Sequence, residues 1–246
     1  MHRSYIEHAQ FNTEHISITD PDEIHHLKDV LRITAGDPIT LFNGEGGEAE
    51  GKVLSVHKDR IDITILQCRS AADEKDARRI LLACAIPKKT KFEWIIEKAT
   101  ELGADEIIPL NTARTEFHVT KDRSDRKSSR YKTVCINAAK QCRRPTLPKL
   151  HPITSFDSVL DMIDTETMAM IPCLFGNRVA LKQALADHPA PKILILIGPE
   201  GDFTPEEAGR AVNRGAIPVS LGETILKVET AAVSVLAFAR LYLDAH

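Results

Sequence analysis

The pattern of apolar and polar positions changes character about seventy residues into the chain. Before that point, short alternating segments at 39–42, 48–56 and 60–68 are joined by turns rich in Gly, Lys and Asp, and they predict strands. One helix precedes them, opened by Asp20-Pro21-Asp22-Glu23 as a capping box and running to about Leu31. Residues 70–79 are polar and charged and predict a linker. Beyond them continuous apolar runs alternate with amphipathic stretches. Strands are predicted at 80–85, 107–110, 168–174, 193–197 and 217–221. Helices are predicted from Thr90-x-x-Glu93 to Gly103, at 125–140, 155–163, 179–186 and 205–213, and from Thr230 onward. Alternation of this kind buries a parallel sheet under helices on both faces. The expectation is a small β domain at 1–71 followed by an α/β domain at 72–246, with no internal repeat.

Composition narrows the class. The chain of 246 residues is 43% hydrophobic and 27% charged, ordinary for a globular protein. Its first ten residues contain no apolar run of the secretory kind, and residues 231–239 are too short to span a bilayer. Five cysteines without a CxxC pair suit reduced thiols in the cytoplasm and argue against a zinc site. Net charge is −3, but it is unevenly spread: residues 112–149 carry +8 and the remainder −11. A basic stripe on an acidic body suits one surface facing a polyanion. A solvated, salt-bridged helix would look similar, but Arg143-Arg144-Pro145 fall past the predicted helix end.

Candidate chemistry concentrates in residues 193–231. The apolar run 193–197 breaks into Gly198-Pro199-Glu200-Gly201, and Thr204, Pro205 and Glu207 then start a helix as N-cap, first position and capping box. The run 217–221 opens at Gly222 into a second turn ending at Glu229-Thr230-Ala231. At the carboxyl edge of a parallel sheet such turns present backbone N–H and C=O groups to a ligand. Other motifs mislead. Gly44 to Lys52 mimics dinucleotide and phosphate loops, yet Val53 stands where Ser or Thr would bind magnesium and a strand follows, so a hairpin turn is expected. His25-His26 lacks partner ligands, and Cys142 is read as structural.

Four segments in order, KFEWIIEKATELGADEIIPL at 91–110, AAKQCRRP at 138–145, IGPEG at 197–201 and LGETILKVETA at 221–231, with HHLKDVLRITAGD at 25–37 before them, carry a resemblance. The chain resembles the SPOUT-class 16S ribosomal RNA uridine N3-methyltransferases, the RsmE family, over nearly its whole length. The resemblance implies a PUA-like β-barrel before a knotted α/β domain, S-adenosylmethionine as cofactor, 16S ribosomal RNA of the small subunit as partner, and a homodimer. It places the cofactor on Leu196, Gly198, Leu221, Gly222, Ile225, Leu226, Glu229, Thr230 and Ala231, with Pro199 and Gly201 of the first turn. Two departures stand out: Asp202 where the family pattern has a second glycine, and Thr146 where many members have a basic residue.

Methylating uridine N3 requires loss of the N3 proton and stabilisation of the charge that spreads onto O2 and O4. Arg144 is the candidate cation, and Gln141 would orient the uracil edge. Glu200 is a candidate base, in competition with water and the cofactor's own carboxylate; its other reading is a cap for the turn that holds it. Glu229 also reads as an N-terminal cap or dipole partner at a helix start, the reading favoured for it. Arg3, Arg32, Lys121, Arg126, Arg130 and Arg143 are expected to grip phosphates. The alternatives are a SPOUT enzyme acting on a ribose 2′-oxygen or a tRNA base, and an RNA-binding module without catalysis.

Overall fold

The computed structural model describes residues 2–70, 78–87, 91–115, 121–174 and 176–245. Its contacts divide the chain into two units. The first comprises Met1–Lys75 with Ala139–Leu147, and the second Asp76–Ala138 with Pro148–His246. The contiguous division at residue 71 does not anticipate the return of 139–147 to the first unit.

In the first unit β1 (His2–Tyr5), β2 (His15–Ile18), β3 (Pro38–Phe42), β4 (Gly47–Val56) and β5 (Ile61–Ser70) form one sheet in the order β1-β3-β4-β5-β2. Among the described strands of this sheet only the β1–β3 pairing is parallel. Inward residues at every second position, Ile39 and Leu41 of β3, Ala49 and Val53 of β4, Ile61 and Ile63 of β5, meet Ile18, Ile24 and Leu27 in a closed core. The hairpin after β3 is built by Asn43, whose side-chain oxygen accepts from the backbone N–H of Glu45 and Gly47 at 2.8 and 2.9 Å. The expected hairpin is therefore present where the phosphate-loop motifs misled.

The helix α1 (Pro21–His25) is N-capped by Asp20, which accepts from the Glu23 N–H at 2.9 Å. The predicted capping box is only half made. The Glu23 carboxylate is drawn instead to the Ser4 hydroxyl at 2.5 Å and to the Lys140 ammonium. After α1 the chain continues through one wider turn, His26–Val30. Residues 139–147 are held by backbone pairing, with Leu147 N–H donating to Gly44 C=O at 2.8 Å.

In the second unit all described strands are parallel. They are β6 (Arg79–Ala85), β7 (Glu106–Asn111), β8 (Lys149–Leu150), β9 (Thr154–Ser155), β10 (Thr167–Pro172), β11 (Val179–Ala180), β12 (Lys192–Ile197) and β13 (Ile217–Ser220). Their order is β11-β13-β10-β12-β6-β7-β8, with β9 also on β7. The helices are α2 (Lys91–Glu101), α3 (Lys121–Cys142), α4 (Phe156–Leu160), α5 (Leu181–Asp187), α6 (Pro205–Asn213) and α7 (Val228–Asp244), and the unit boundary falls within α3. One sheet face, with Leu81, Ala83, Ile108, Leu110, Leu194 and Leu196, packs on α4 and α6 through Phe156, Val159, Ala208 and Ala211. The helix α7 packs against β6, β12 and α2. The central strands are apolar throughout because both of their faces are covered. The linker and the cap at Thr90 lie largely outside the described residues.

Candidate active site

The carboxyl ends of β10, β12 and β13, neighbours in the sheet, open into a cavity of about 330 Å³. Pro172, Cys173 and Leu174 supply one wall, Gly198, Pro199 and Glu200 a second, Leu221, Gly222, Ile225 and Leu226 a third. The first turn of α7, through Val228, Glu229 and Ala231, also borders it. A helix start offers N–H groups without helical partners and a partial positive charge.

The turn after β12 is shaped by close approach. A Cβ on Gly198 would lie 3.1 Å from Phe203 and 3.2 Å from the Asp202 carboxylate, a tight approach that favours glycine here. Asp202 has φ of 59°, the left-handed region where glycine is usual. Its carboxylate accepts from its neighbour Phe203 N–H at 2.8 Å and from Leu174 N–H at 3.0 Å. The residue that departs from the glycine pattern thus ties the β12 turn to the β10 turn. Past it, Thr204 and Glu207 complete the predicted capping box. The buried Glu207 carboxylate also accepts from Ala113 N–H at 2.8 Å.

Charges around the cavity are mixed: Lys91, Arg178 and Lys227 against Glu200, Asp202 and Glu229. Lys91 Nζ meets Glu229 Oε1 at 2.7 Å, and that hydrogen bond holds the Glu229 carboxyl below its usual range. Arg178 donates to the Cys173 carbonyl at 3.2 Å. Cys84, sealed inside β6, has its thiol pushed far up by burial and then by Glu200 and Glu229, which makes it inert.

Of the cofactor residues read from the sequence, Gly198, Pro199, Leu221, Gly222, Ile225, Leu226, Glu229 and Ala231 line the cavity, as does Glu200. Three do not. Leu196 is core, Thr230 is exposed on α7, and the Gly201 carbonyl accepts from Arg114. Glu200 is exposed. Glu229 combines both readings weighed for it, standing in the first turn of α7 and on the cavity wall. The wall at the end of β10, Arg178 and Lys91 were missed. The sheet order, in which β10 lies between β12 and β13, is the signal that would have found the first.

Gln141 and Arg144 belong to the first unit. Arg143 has φ of 64° and turns the chain out of α3. Arg144 Nε then donates to Thr146 Oγ1 at 2.8 Å, so the second departure from the family pattern positions the candidate cation. Gln141, Arg143 and Arg32 are exposed. Arg3 is a correction. Its side chain is only 9% exposed, pairs with Glu48 at 2.8 Å, donates to the Arg144 carbonyl at 3.2 Å and lies 4.5 Å from the centre of the Phe42 ring. It braces the fold rather than gripping phosphate. Arg130 pairs with Glu93 at 2.7 Å while staying 64% exposed. Lys121 and Arg126 lie on the first turns of α3, where side chains are outside the described residues.

Residues 74–240 match the RNA methyltransferase domain family and residues 18–66 the RNA methyltransferase PUA domain. The chain is thus an RNA methyltransferase with a PUA-like amino-terminal domain. Ribosomal RNA small subunit methyltransferase E of Bacillus subtilis (strain 168) is 29% identical, over 96% of this chain and 95% of its own. The protein of that name from Synechocystis sp. is 32% identical, over 87% of this chain and 69% of its own. A crystal structure of the Neisseria gonorrhoeae protein of that name, bound to S-adenosyl methionine, superposes with a TM-score of 0.84 at 26% identity, covering 98% and 97% of the two chains. The chain belongs to the ribosomal RNA small subunit methyltransferase E family.

Proposed function

We propose that this chain, an S-adenosylmethionine-dependent methyltransferase of 16S ribosomal RNA, methylates N3 of one uridine. The observation that carries the reading is the cavity at the carboxyl ends of β10, β12 and β13, two of whose walls are the turns that the sequence motifs single out. Its volume of about 330 Å³ falls within the roughly 300–1,000 Å³ of small-molecule sites. The residues fit the donor. Backbone at Gly198, Leu221 and Leu226, with apolar side chains beside it, suits a purine and ribose. Arg178 and Lys227 suit a carboxylate; Glu200, Asp202 and Glu229 suit an ammonium and a sulfonium. When bound, S-adenosylmethionine supplies a methyl group activated on a sulfonium.

The chain's own residues must prepare the acceptor. Loss of the N3 proton leaves charge on the uracil oxygens, which the guanidinium of Arg144, braced by Thr146, stabilises. Gln141 orients the uracil edge. Glu200 is the proposed proton acceptor, with docked RNA providing the cover that the free protein lacks. Lys121, Arg126, Arg130, Arg143 and Arg32 meet phosphates. The same reading includes the knotted threading of the second domain, a homodimer and a cytoplasmic location. Nucleoside mass spectrometry of 16S RNA from a deletion strain should reveal one uridine lacking its N3 methyl group, restored by the wild-type gene. Unchanged modification would overturn the acceptor assignment, and calorimetry silent toward S-adenosylmethionine would favour an RNA-binding module.

A further inference from the structure

A second cavity, of about 260 Å³, opens in the second unit. Lys127, Ser128 and Tyr131 of α3 face Pro109 of β7 across it, with His151 and Ile153 just past the end of β8. No Asp or Glu is among its described lining residues. The nearby carboxylate of Glu106, 7% exposed, is already engaged by Arg79 at 2.6 Å and by His151 Nε2 at 2.5 Å. That bond fixes the imidazole, whose side chain is 18% exposed. Tyr131 is held against Phe92, with ring centres 5.2 Å apart. The cavity therefore joins a firm apolar wall and an oriented imidazole ring to two donors, an ammonium and a hydroxyl, a set suited to an anion carrying a flat ring.

Its place on the sheet says more. Ile197, Cys84 and Pro109 stand in register across β12, β6 and β7. At about 4.8 Å per strand, Pro109 lies about 10 Å along that row from Ile197, which lines the first cavity. The residues past β8 are likewise at the carboxyl edge, where both cavities open. A splayed single strand with one base at the first cavity would bring an adjoining nucleotide to the second. We propose that this second cavity is a subsite for a nucleotide flanking the methylated uridine, its phosphate met by Lys127 and Ser128 and its base by His151 and the Pro109–Tyr131 wall. The inference rests on the methyltransferase reading above and extends it to the substrate's neighbouring residue.

The test compares wild-type protein with Ser128→Trp, which fills the cavity and leaves the Glu106–His151 pair in place, and with His151→Ala and Lys127→Ala. Steady-state methylation of small-subunit RNA should show the RNA KM raised about tenfold with kcat within about twofold, the sign of lost uniform binding. Calorimetric affinity for S-adenosylmethionine should stay unchanged. Lys127→Ala should also lower the salt slope of RNA binding by about one. RNA KM unchanged in all three variants overturns the subsite, and so does a parallel loss of donor affinity, which would mark a general packing defect. Failure of the parent reading looks different: wild-type protein would transfer no methyl group to the RNA, while filter binding of the same RNA by wild type and Ser128→Trp would still report on the cavity.

Discussion

Among the described residues, three of the four non-glycine positions with positive φ fall at candidate positions: Arg32 and Arg143 among the candidate phosphate contacts, and Asp202 on the cavity wall. Strained backbone kept at such places implies that the side chain is worth more than the strain. Arg143→Gly removes a left-handed cost of roughly 1–2 kcal/mol but adds chain entropy of about 0.5–1 kcal/mol, so denaturant melts should rise by no more than about 1.5 kcal/mol. RNA affinity should nonetheless fall, with the salt slope shallower by about one. Unaltered RNA binding would remove Arg143 from the interface. Asp202→Gly restores the family's glycine but releases the Leu174 N–H, a bond of about 1 kcal/mol, so calorimetry should give a several-fold weaker affinity for S-adenosylmethionine. An affinity equal to wild type would show that the tie between the two turns is dispensable. Thr146→Val frees the Arg144 guanidinium from its brace and should lower kcat about tenfold, against a hundredfold or more for Arg144→Ala. A Thr146→Val kcat equal to wild type would leave the brace without a role. The sequence marked Asp202 and Thr146 only as departures, since what each compensates is a partner brought near by folding.

Elements were legible in proportion to how local their causes are. The helix α6 begins and ends where the sequence placed it because Pro205, Thr204 and Glu207 act within one turn. The same motif at Asp20 completes only one of its two bonds, because Ser4 and Lys140, far away in sequence, capture Glu23. The strands β1, β2, β8, β9 and β11 have two to four residues, too few for a period to register, and neighbours rather than pattern define them. In the first unit's sheet, Asp62 joins three strands. It accepts from Ser17 of β2 at 2.6 Å and from Ser55 of β4 at 2.9 Å, which with Arg60 lowers its pKa to about 2. A depressed carboxylate contributes stability that is complete above its ordinary pKa and lost as pH falls through the lowered one. Wild-type protein should therefore lose stability between about pH 4 and pH 2 more steeply than Asp62→Asn. Parallel stability curves for the two proteins would dissociate Asp62 from the acid response.

For the whole molecule, the succession of a β-rich and an α/β region followed from hydrophobic period alone, and the ligand edge followed from parallel strands ending in glycine turns. Two things did not: the return of residues 139–147 to the first unit, and the contribution of β10 to the cavity. Both depend on which segments become neighbours, the first through the Gly44–Leu147 backbone bond and the second through strand order. The division into units has a thermodynamic consequence. All described residues lining the proposed donor cavity belong to the second unit. A ligand that binds only the folded cavity stabilises the cooperative segment that forms it, by about 2.7 kcal/mol at a hundred times Kd. Hydrogen exchange with saturating S-adenosylmethionine should therefore slow amides of β10, β12, β13 and the start of α7, which must open together to lose the ligand. Amides of β3, β4 and β5 share none of that linkage and should exchange as in the free protein. Equal slowing in both sets would mean that the chain opens as one cooperative body, and donor binding would then set the stability of the first unit as well.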